Sequence, residues 1–215
     1  MINFDYQPPD VPLSILHQDD QVIVVDKPAG LLSVPGKLAG RGDCLESRLR
    51  IVFWDSLLVH RLDCDTSGVM IFARTKAAQG FLGQEFEQRR AKKSYVARVL
   101  GRVEGESGRI DLPIGADWPN RPKQIVDPVN GRAAVTDWEV IARGDGETRV
   151  RLRPLTGRSH QLRVHMLDLG HPILGDQIYS GDAARFGRLM LHAETLALHH
   201  PGTRAWVEFR AACPF

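Results

Sequence analysis

The chain has 215 residues, of which 43% are hydrophobic and 25% are charged, a composition that is ordinary for a globular protein. It contains no apolar run long enough to span a bilayer, and its N-terminus lacks the basic and apolar segments of a secretion signal. The three cysteines are far apart and odd in number, which favours neither a disulfide framework nor a cysteine-based zinc site, so we expect a cytoplasmic protein. The net charge of +2 does not by itself indicate a nucleic-acid binder. The sequence shows no linker, so we expect a single domain over residues 1–215.

Apolar runs and alternating patterns predict a chain built mostly from short strands. The predicted strands comprise residues 22–25, 57–59, 69–73, 95–100, 133–141, 148–153, 190–198 and 205–210. Residues 101–131 are rich in Gly and Pro, and we expect them to hold short strands at best within functional or mobile loops. Many strands, few helices and no regular alternation of the two indicate an α+β domain with a mixed, largely antiparallel sheet and flanking helices.

Three helices are predicted, each from a capping residue followed by apolar residues at helical spacing. Asp43, Thr75 and Thr156 are the expected caps, and Gly170 is expected to end the third helix. The predicted apolar faces consist of Leu45, Leu49, Val52 and Phe53 in the first helix, of Ala78, Phe81, Leu82 and Phe86 in the second, and of Leu162, His165 and Leu169 in the third.

Three segments place ionisable side chains beside predicted strand ends or helix starts, where a rigid scaffold can hold functional groups: residues 60–68, 93–97 and 156–165. In the first segment, Asp63 follows an apolar strand and lies near Arg61 and a polar turn. A neighbouring guanidinium favours the charged form of a carboxylate, and a charged, partly desolvated carboxylate is a competent nucleophile. An Asp at a strand end is also a common turn cap, so residue type alone leaves both interpretations open.

The other two segments contain a tyrosine and an arginine, each with a structural and a functional interpretation. Tyr95 lies in a predicted strand beside Lys93, where it is either a core aromatic or a ring that stacks on a base and transfers a proton. Arg163 lies on the third predicted helix, where it is either a surface residue or the bidentate partner of a carboxylate. Basic clusters within residues 89–93 and 121–123 indicate either a solvated face or contacts to a nucleic-acid backbone.

Two other chemistries receive weak support. Residues 65–68, Asp-Thr-Ser-Gly, are similar to the turn of an aspartic protease, but Gly does not directly follow Thr and the required second turn is missing from the sequence. His60 with Asp65, or His160 with His165, could be offered as metal ligands, but no metal-binding motif accompanies them. These histidines are therefore expected to be structural, and no metal is predicted.

The order of the motifs along the chain resembles that of the RluA family of pseudouridine synthases. The matching segments are residues 27–30, 60–68, 93–97, 156–165, 171–176 and 191–193. Several motifs in a fixed order are far more specific than any one of them. The resemblance implies the pseudouridine synthase fold with a central RNA-binding cleft, the isomerisation of uridine in RNA, and chemistry that uses no metal and no cofactor.

The resemblance also implies a role for each site residue. Asp63 would be the nucleophile, Tyr95 would stack on the uracil and serve as general base, and Arg163 would pair with Asp63. Arg61 would enter the RNA and occupy the space of the flipped base. Further RNA contacts are expected from His60, Thr66, Lys93, Arg121, Lys123 and Arg158.

Residues 117–124 resemble a segment of the short, single-domain members of the family, which act on tRNA and on large-subunit ribosomal RNA. We therefore expect a monomer that binds stem-loops of both RNAs and has no separate N-terminal RNA-binding domain. We expect no association with a membrane. Whether Asp63 attacks C1′ or C6, or assists an elimination at the sugar, stays open. Two other functions also stay open: a carboxylate-dependent nucleoside hydrolase, which would release free base, and a non-catalytic RNA-binding module, which would not need Asp63.

Overall fold

The structure is a computed structural model that describes residues 6–181 and 183–215. Residues 1–5, on which the expectation of no secretion signal partly rests, lie outside the described residues. Contacts between residues divide the chain into two compact units. The first unit comprises residues 6–93 and 192–214, and the second unit contains residues 94–191 and Phe215. The single catalytic domain over residues 1–215 stays a prediction.

Twelve strands lie within the described residues: β1 (Ser14–Gln18), β2 (Val22–Lys27), β3 (Leu57–Leu58), β4 (Ser67–Ala73), β5 (Lys92–Leu100), β6 (Ser107–Asp111), β7 (Ile114–Ala116), β8 (Gln124–Val126), β9 (Val135–Arg143), β10 (Glu147–Pro154), β11 (Leu191–His199) and β12 (Trp206–Arg210). The helices are α1 (Leu45–Val52), α2 (Lys76–Glu87), α3 (Gln161–Asp168) and α4 (Ala183–Phe186). None of the helices in the described part of the chain is long and apolar enough to cross a membrane. Every predicted strand is present, with ends that differ by a few residues.

The first unit is built on β2 and β4, whose apolar side chains are almost all buried. β2 pairs antiparallel with both β1 and β4, and β3 also pairs antiparallel with β4. β11 pairs parallel with the start of β4 and antiparallel with β12. Helix α2 adds Ala78 and Leu82 to the same apolar core. The turn that precedes β4 is thus attached to a rigid, fully buried strand.

The second unit is built on the neighbouring strands β5, β10, β9 and β6, each antiparallel to the next. Helix α3 packs on their apolar core through Leu162 and Met166. β7 and β8 form a separate antiparallel hairpin, connected by residues 117–123. The predicted α+β class with a mixed, largely antiparallel sheet is confirmed.

The first helix is capped by Cys44, so the prediction of Asp43 as the cap is wrong. Cys44 Sγ accepts a hydrogen bond from the Ser47 backbone N–H at 3.4 Å, and Ser47 Oγ accepts one from the Cys44 N–H at 2.9 Å. Two polar side chains three residues apart can satisfy each other's free backbone donors in this reciprocal way. The Asp43 carboxylate instead binds Arg48, at 2.7 Å.

The third helix begins at Gln161, so the prediction that Thr156 caps this helix is wrong. The Thr156 hydroxyl donates to Gln161 Oε1 at 2.7 Å, and the residue before the helix is His160, in the left-handed conformation with φ 54°. Gly170, with φ +86°, follows the last turn as predicted, because glycine adopts positive φ without a steric penalty. Thr75 caps α2, as predicted.

The predicted apolar faces of α1 and α2 are confirmed at their buried residues, and the face of α1 is wrong at its C-terminal end. Leu45 and Leu49 are fully buried in α1, and Ala78 and Leu82 are buried in α2. Val52 is 62% exposed, because it is the last residue of an eight-residue helix and lies beyond the core. β1 was not predicted, since its residues are mostly exposed and show no clear alternation.

Candidate active site

The segment that contains Asp63 forms a turn between β3 and β4. Asp63 is half-buried, the turn residues Cys64 and Asp65 follow it, and β4 starts two residues later. The Thr66 N–H donates to the Asp63 carbonyl at 3.2 Å and closes the turn. The turn predicted for residues 64–68 is therefore present in its first half, directly after Asp63, whereas residues 67 and 68 already belong to β4.

Two buried polar side chains hold the backbone on either side of Asp63. The Ser33 hydroxyl donates to the Leu62 carbonyl at 2.7 Å and accepts from the Leu62 N–H at 3.1 Å. The Lys27 ammonium donates to the Cys64 carbonyl at 2.7 Å. The Leu62–Asp63 peptide group and the Cys64–Asp65 peptide group, one residue beyond the candidate nucleophile, are thereby fixed from inside the first unit.

Lys27 is the functional residue that the sequence interpretation missed. Its side chain is 0% exposed, and its ammonium also donates to two carbonyls of the turn at residues 28–31, at 2.8 and 2.7 Å. The Gly30 N–H adds a further hydrogen bond to the Cys64 carbonyl at 3.0 Å. The available signal was a lysine two residues after the buried apolar run at residues 22–25, since lysine is almost never fully buried without partners.

The chain after Asp63 is fixed to β11 by a close backbone approach. Gly68 has φ +118°, and a Cβ at this position would lie 2.2 Å from the Ala193 carbonyl oxygen, so no other residue fits. One residue earlier, Ser67 Oγ lies 2.8 Å from His192 Nδ1. His192 Nε2 lies 3.2 Å from the Ala211 carbonyl, which only accepts, so Nε2 carries a proton and donates to this carbonyl.

The Cys64 thiol beside Asp63 is in an environment that makes it unreactive. Burial raises the pKa of the Cys64 thiol to about 12, and the Asp65 carboxylate adds to the effect. Its Sγ donates to the Gly30 carbonyl at 3.3 Å. Because the thiolate is the reactive form of cysteine, the nucleophile candidate of this turn is Asp63 and not its neighbour.

His60 supports the segment from within the first unit. Its Nε2 accepts a hydrogen bond from the Ile71 N–H at 3.1 Å, and its ring stacks on Phe86 with centroids 4.6 Å apart. Burial lowers the pKa of His60 to about 3, and the Lys93 ammonium contributes to the shift. The ring is therefore neutral, which agrees with a structural histidine. A contact of His60 with RNA stays a prediction.

The other predicted RNA contacts of the first unit differ in their exposure. Arg61 is exposed, as a side chain that enters the RNA would be. Thr66 is only 2% exposed, so its side chain faces the protein interior, and its direct contact with RNA stays a prediction. Lys93 is half-buried, and burial lowers the pKa of its ammonium to about 8.

Tyr95 and Arg163 both lie in the second unit. Tyr95 is half-buried in β5, opposite Leu152 of β10, and packs against the apolar core. Arg163 is 3% exposed and not at the surface, and it binds both oxygens of Asp176, through Nε at 2.7 Å and Nη2 at 2.8 Å. A bidentate carboxylate partner is therefore present and is Asp176. The pairing of Arg163 with Asp63 stays a prediction.

The remaining basic candidates lie on loops of the second unit. The Arg121 guanidinium stacks 3.6 Å from the ring centre of Trp118, and both side chains are exposed. Lys123 Nζ lies 5.9 Å from the ring centre of Tyr179. Arg158 is half-buried, and its Nε donates to a backbone carbonyl at 3.1 Å. Arg121 and its stacked tryptophan thus form the most accessible basic feature among these.

The histidines once considered as metal ligands have protein partners. His165 is 0% exposed, with Nδ1 at 2.9 Å from the Thr136 hydroxyl and Nε2 at 3.1 Å from the Leu112 carbonyl. His160 Nδ1 lies 2.8 Å from the Tyr179 hydroxyl. Over the described residues, no three His, Cys, Asp or Glu side chains are arranged to hold a metal ion. These hydrogen bonds agree with the structural interpretation of both histidines, and the expected absence of a metal stays a prediction.

Residues 21–168 match the sequence profile of a family described as RNA pseudouridylate synthase. This match covers most of the chain, including the Asp63 turn and both Tyr95 and Arg163. The chain therefore belongs to the RNA pseudouridylate synthase family, and it is an isomerase that acts on RNA.

Individual relatives agree with this assignment. The chain is 50% identical to the dual-specificity RNA pseudouridine synthase RluA of Escherichia coli (strain K12), with 98% of each chain covered. It is 48% identical to the protein of the same name from Haemophilus influenzae, with 100% of each covered. Among solved structures, it is similar to human RNA pseudouridylate synthase domain containing 1, at a TM-score of 0.81 and 33% identity, covering 97% of this chain and 87% of that one. The pseudouridine synthase fold is thus confirmed.

Proposed function

We propose that this enzyme isomerises uridine to pseudouridine in folded RNA with Asp63 as its nucleophile. The observation that carries the proposal is the fixed backbone on both sides of Asp63, held by Ser33 and Lys27 inside the first unit. A reacting group gains most when its position is set before the substrate arrives, because misplacement by about 1 Å can lower a rate by roughly a hundredfold.

The reaction itself needs only rearrangement. The N1–C1′ bond of uridine breaks, the uracil turns, C5 bonds to C1′, and the proton from C5 is lost while N1 gains one. Product and substrate are isomers, so the reaction needs no external oxidant or reductant, and we expect it to use neither a metal nor a cofactor. Asp63 supplies the carboxylate that attacks C1′ or C6 or assists elimination at the sugar, and a negatively charged oxygen serves each of these routes.

The remaining roles follow from the family resemblance. Tyr95 stacks on the uracil and takes the C5 proton, and Arg163 orients the Asp63 carboxylate. Arg61 fills the space of the flipped base, which offsets part of the few kcal/mol that unstacking costs. The exposure of Arg61 and the burial of Arg163 support this division between an RNA-facing side chain and an interior one.

We also propose stem-loops of tRNA and of large-subunit ribosomal RNA as the substrates, bound by a cytoplasmic monomer. Relatives about half identical to the chain carry the name dual-specificity RNA pseudouridine synthase. Loop bases are partly unstacked, so they are cheaper to flip than paired bases. The exposed pair of Trp118 and Arg121 offers a flat, positively charged surface of the kind that binds unpaired nucleotides.

The test is to incubate the pure enzyme with isolated tRNA and ribosomal stem-loops and with linear RNAs of the same composition, and then to map pseudouridine. Modified uridines confined to the stem-loops are expected. Equal activity on the linear RNAs would reject the substrate proposal. Release of free uracil would instead identify a nucleoside hydrolase. If wild type forms no product and Asp63→Asn binds RNA as tightly as wild type does, the protein would be a binding module.

A further inference from the structure

Tyr179 lies where three segments of the second unit meet. It is 8% exposed and belongs to a small apolar cluster with Ile114, Ala134 and Val164. Packing alone would be satisfied by phenylalanine. The hydroxyl and the ring, however, contact polar partners that belong to the proposed RNA-binding and catalytic apparatus.

The hydroxyl of Tyr179 holds the loop that carries Arg121. It accepts a hydrogen bond from the Gln124 N–H at 2.8 Å, and it lies 3.3 Å from the Gln124 carbonyl. Gln124 is the first residue after the loop at residues 117–123, and Lys123 Nζ lies 5.9 Å from the centre of the same ring. One phenol group therefore fixes the return of this loop into β8.

The same hydroxyl also holds the start of α3. It lies 2.8 Å from His160 Nδ1, and the rings of the two residues meet edge to face. His160 is in the left-handed conformation, which a non-glycine residue adopts only when its surroundings impose it. Its carbonyl accepts the Val164 N–H at 2.9 Å, one residue after Arg163. The helix that carries the buried arginine is thus fixed at its first turn by Tyr179.

The third connection reaches Arg163 directly. Its guanidinium carbon lies 5.0 Å from the centre of the Tyr179 ring. Both oxygens of Asp176 bind this guanidinium, and Asp176 Oδ1 also accepts the Tyr179 N–H at 3.1 Å. A cation over an aromatic face is held electrostatically as well as sterically. Any displacement of Tyr179 is therefore transmitted to Arg163 through ring and carboxylate together.

We propose that Tyr179 is a positioning residue that couples the loop at residues 117–123 to Arg163, so that RNA bound by Arg121 sets the catalytic arginine. This coupling rests on the proposed function, in which Arg121 contacts RNA and Arg163 orients Asp63. A loop that Arg121 holds on the RNA keeps Gln124, and hence the Tyr179 hydroxyl, in one place. The rate of the chemical step then depends on a contact that lies outside the reacting groups.

The decisive experiment is a double-mutant cycle with Arg121→Ala and Tyr179→Phe, measured as the single-turnover rate at saturating stem-loop RNA. Phenylalanine keeps the ring on Arg163 and removes only the hydroxyl. In the wild-type background, Arg121→Ala should lower this rate about 3- to 10-fold even when all enzyme is bound. In the Tyr179→Phe background, the same change should weaken binding but leave the saturated rate unaltered. Equal factors in both backgrounds, including no effect in either, overturn the coupling.

Tyr6→Phe is a matched control. The Tyr6 hydroxyl also makes two backbone contacts, donating to the Asp43 carbonyl at 2.7 Å and accepting the Leu32 N–H at 3.0 Å, but it lies in the first unit. It should leave the effect of Arg121→Ala on the rate unchanged. If Tyr6→Phe abolishes that effect as fully as Tyr179→Phe does, the loss reflects general loosening and the proposal fails.

A readout without RNA separates this coupling from the proposed function. Hydrogen exchange of the free protein should be about 3- to 10-fold faster at residues 117–124 in Tyr179→Phe than in wild type, because the hydrogen bonds between the Tyr179 hydroxyl and Gln124 are lost. Unchanged exchange there overturns the coupling whatever the enzyme does. A wild-type enzyme that makes no pseudouridine, combined with faster loop exchange, would instead reject the proposed function and leave the link from Tyr179 to the loop intact.

Discussion

The buried ammonium of Lys27 gives the sharpest quantitative prediction. Lys27→Met keeps the length and apolar stem of the side chain and removes three hydrogen bonds to carbonyls. The Cys64 carbonyl keeps the Gly30 N–H as a donor, but the carbonyls of Pro28 and Leu31 lose the ammonium. Each carbonyl that loses its donor lowers the stability by about 1–3 kcal/mol, and removing the buried charge offsets part of this loss. We therefore expect the free energy of unfolding to fall by about 2–4 kcal/mol.

Thermal and urea unfolding would measure this loss, with the midpoint temperature lower by roughly 5–15 °C in a chain of this size. The saturated single-turnover rate should also fall about tenfold or more, because the peptide group after Cys64, in the turn that follows Asp63, keeps only the Gly30 N–H as a donor. Lys37→Met, at an exposed lysine of the following loop, should change neither quantity. A Lys27→Met enzyme within about 0.5 kcal/mol of wild type and fully active would refute the assigned role of the ammonium.

Asp63→Asn should keep RNA affinity within about tenfold and abolish turnover, since the amide preserves shape and removes the nucleophile. Tyr95→Phe should bind RNA normally and lower the single-turnover rate about a hundredfold if the phenol takes the proton. We expect the stability of the fold to depend on pH through Asp19. Burial raises the pKa of this carboxyl, but hydrogen bonds from His17 and two backbone amides outweigh that effect and lower the pKa of Asp19 to about 2. A lowered carboxyl pKa stabilises the fold above the unfolded value, so this contribution is lost as the pH falls from about 4 to 2. Urea unfolding of wild type and Asp19→Asn should therefore differ at pH 6 and converge at pH 2.

Each of these has an outcome that contradicts it. Pseudouridine formed by Asp63→Asn, with deamidation excluded by mass spectrometry, would remove the nucleophile assignment. A Tyr95→Phe enzyme at the wild-type rate would assign the proton transfer to another group. A constant stability difference between Asp19→Asn and wild type from pH 6 to pH 2 would show that the hydrogen bonds of Asp19 are as strong in its protonated form.

The sequence predicts those features that depend on local patterns. The buried run at residues 22–25 and the apolar strand at residues 69–73 are found because continuous burial leaves a continuous apolar sequence. Thr75 is correctly identified as a cap because a helical apolar face follows it directly. Asp43 is misidentified because it and Cys44 are both able to cap, and only the pairing with Ser47 decides between them.

Other features depend on partners that are distant in sequence. Lys27 holds the Cys64 carbonyl across 37 positions, and Gln124 meets Tyr179 across 55. The signature motif indicates Asp63, yet nothing in it shows what fixes the neighbouring peptide groups. The bidentate partner that Arg163 has in the structure illustrates the same point, because Asp176, thirteen residues later, can be found only from the fold.

The low reactivity of the Cys64 thiol has a practical consequence for the chemical labelling of this protein in solution. With its pKa raised to about 12, almost none of it is thiolate at neutral pH, and Cys44 is fully buried. Maleimides and mild oxidants should therefore react first with Cys213, near the C-terminus and partly exposed. A fluorophore can thus be attached at a single natural position, and the enzyme can be followed on RNA without engineering a cysteine-free background.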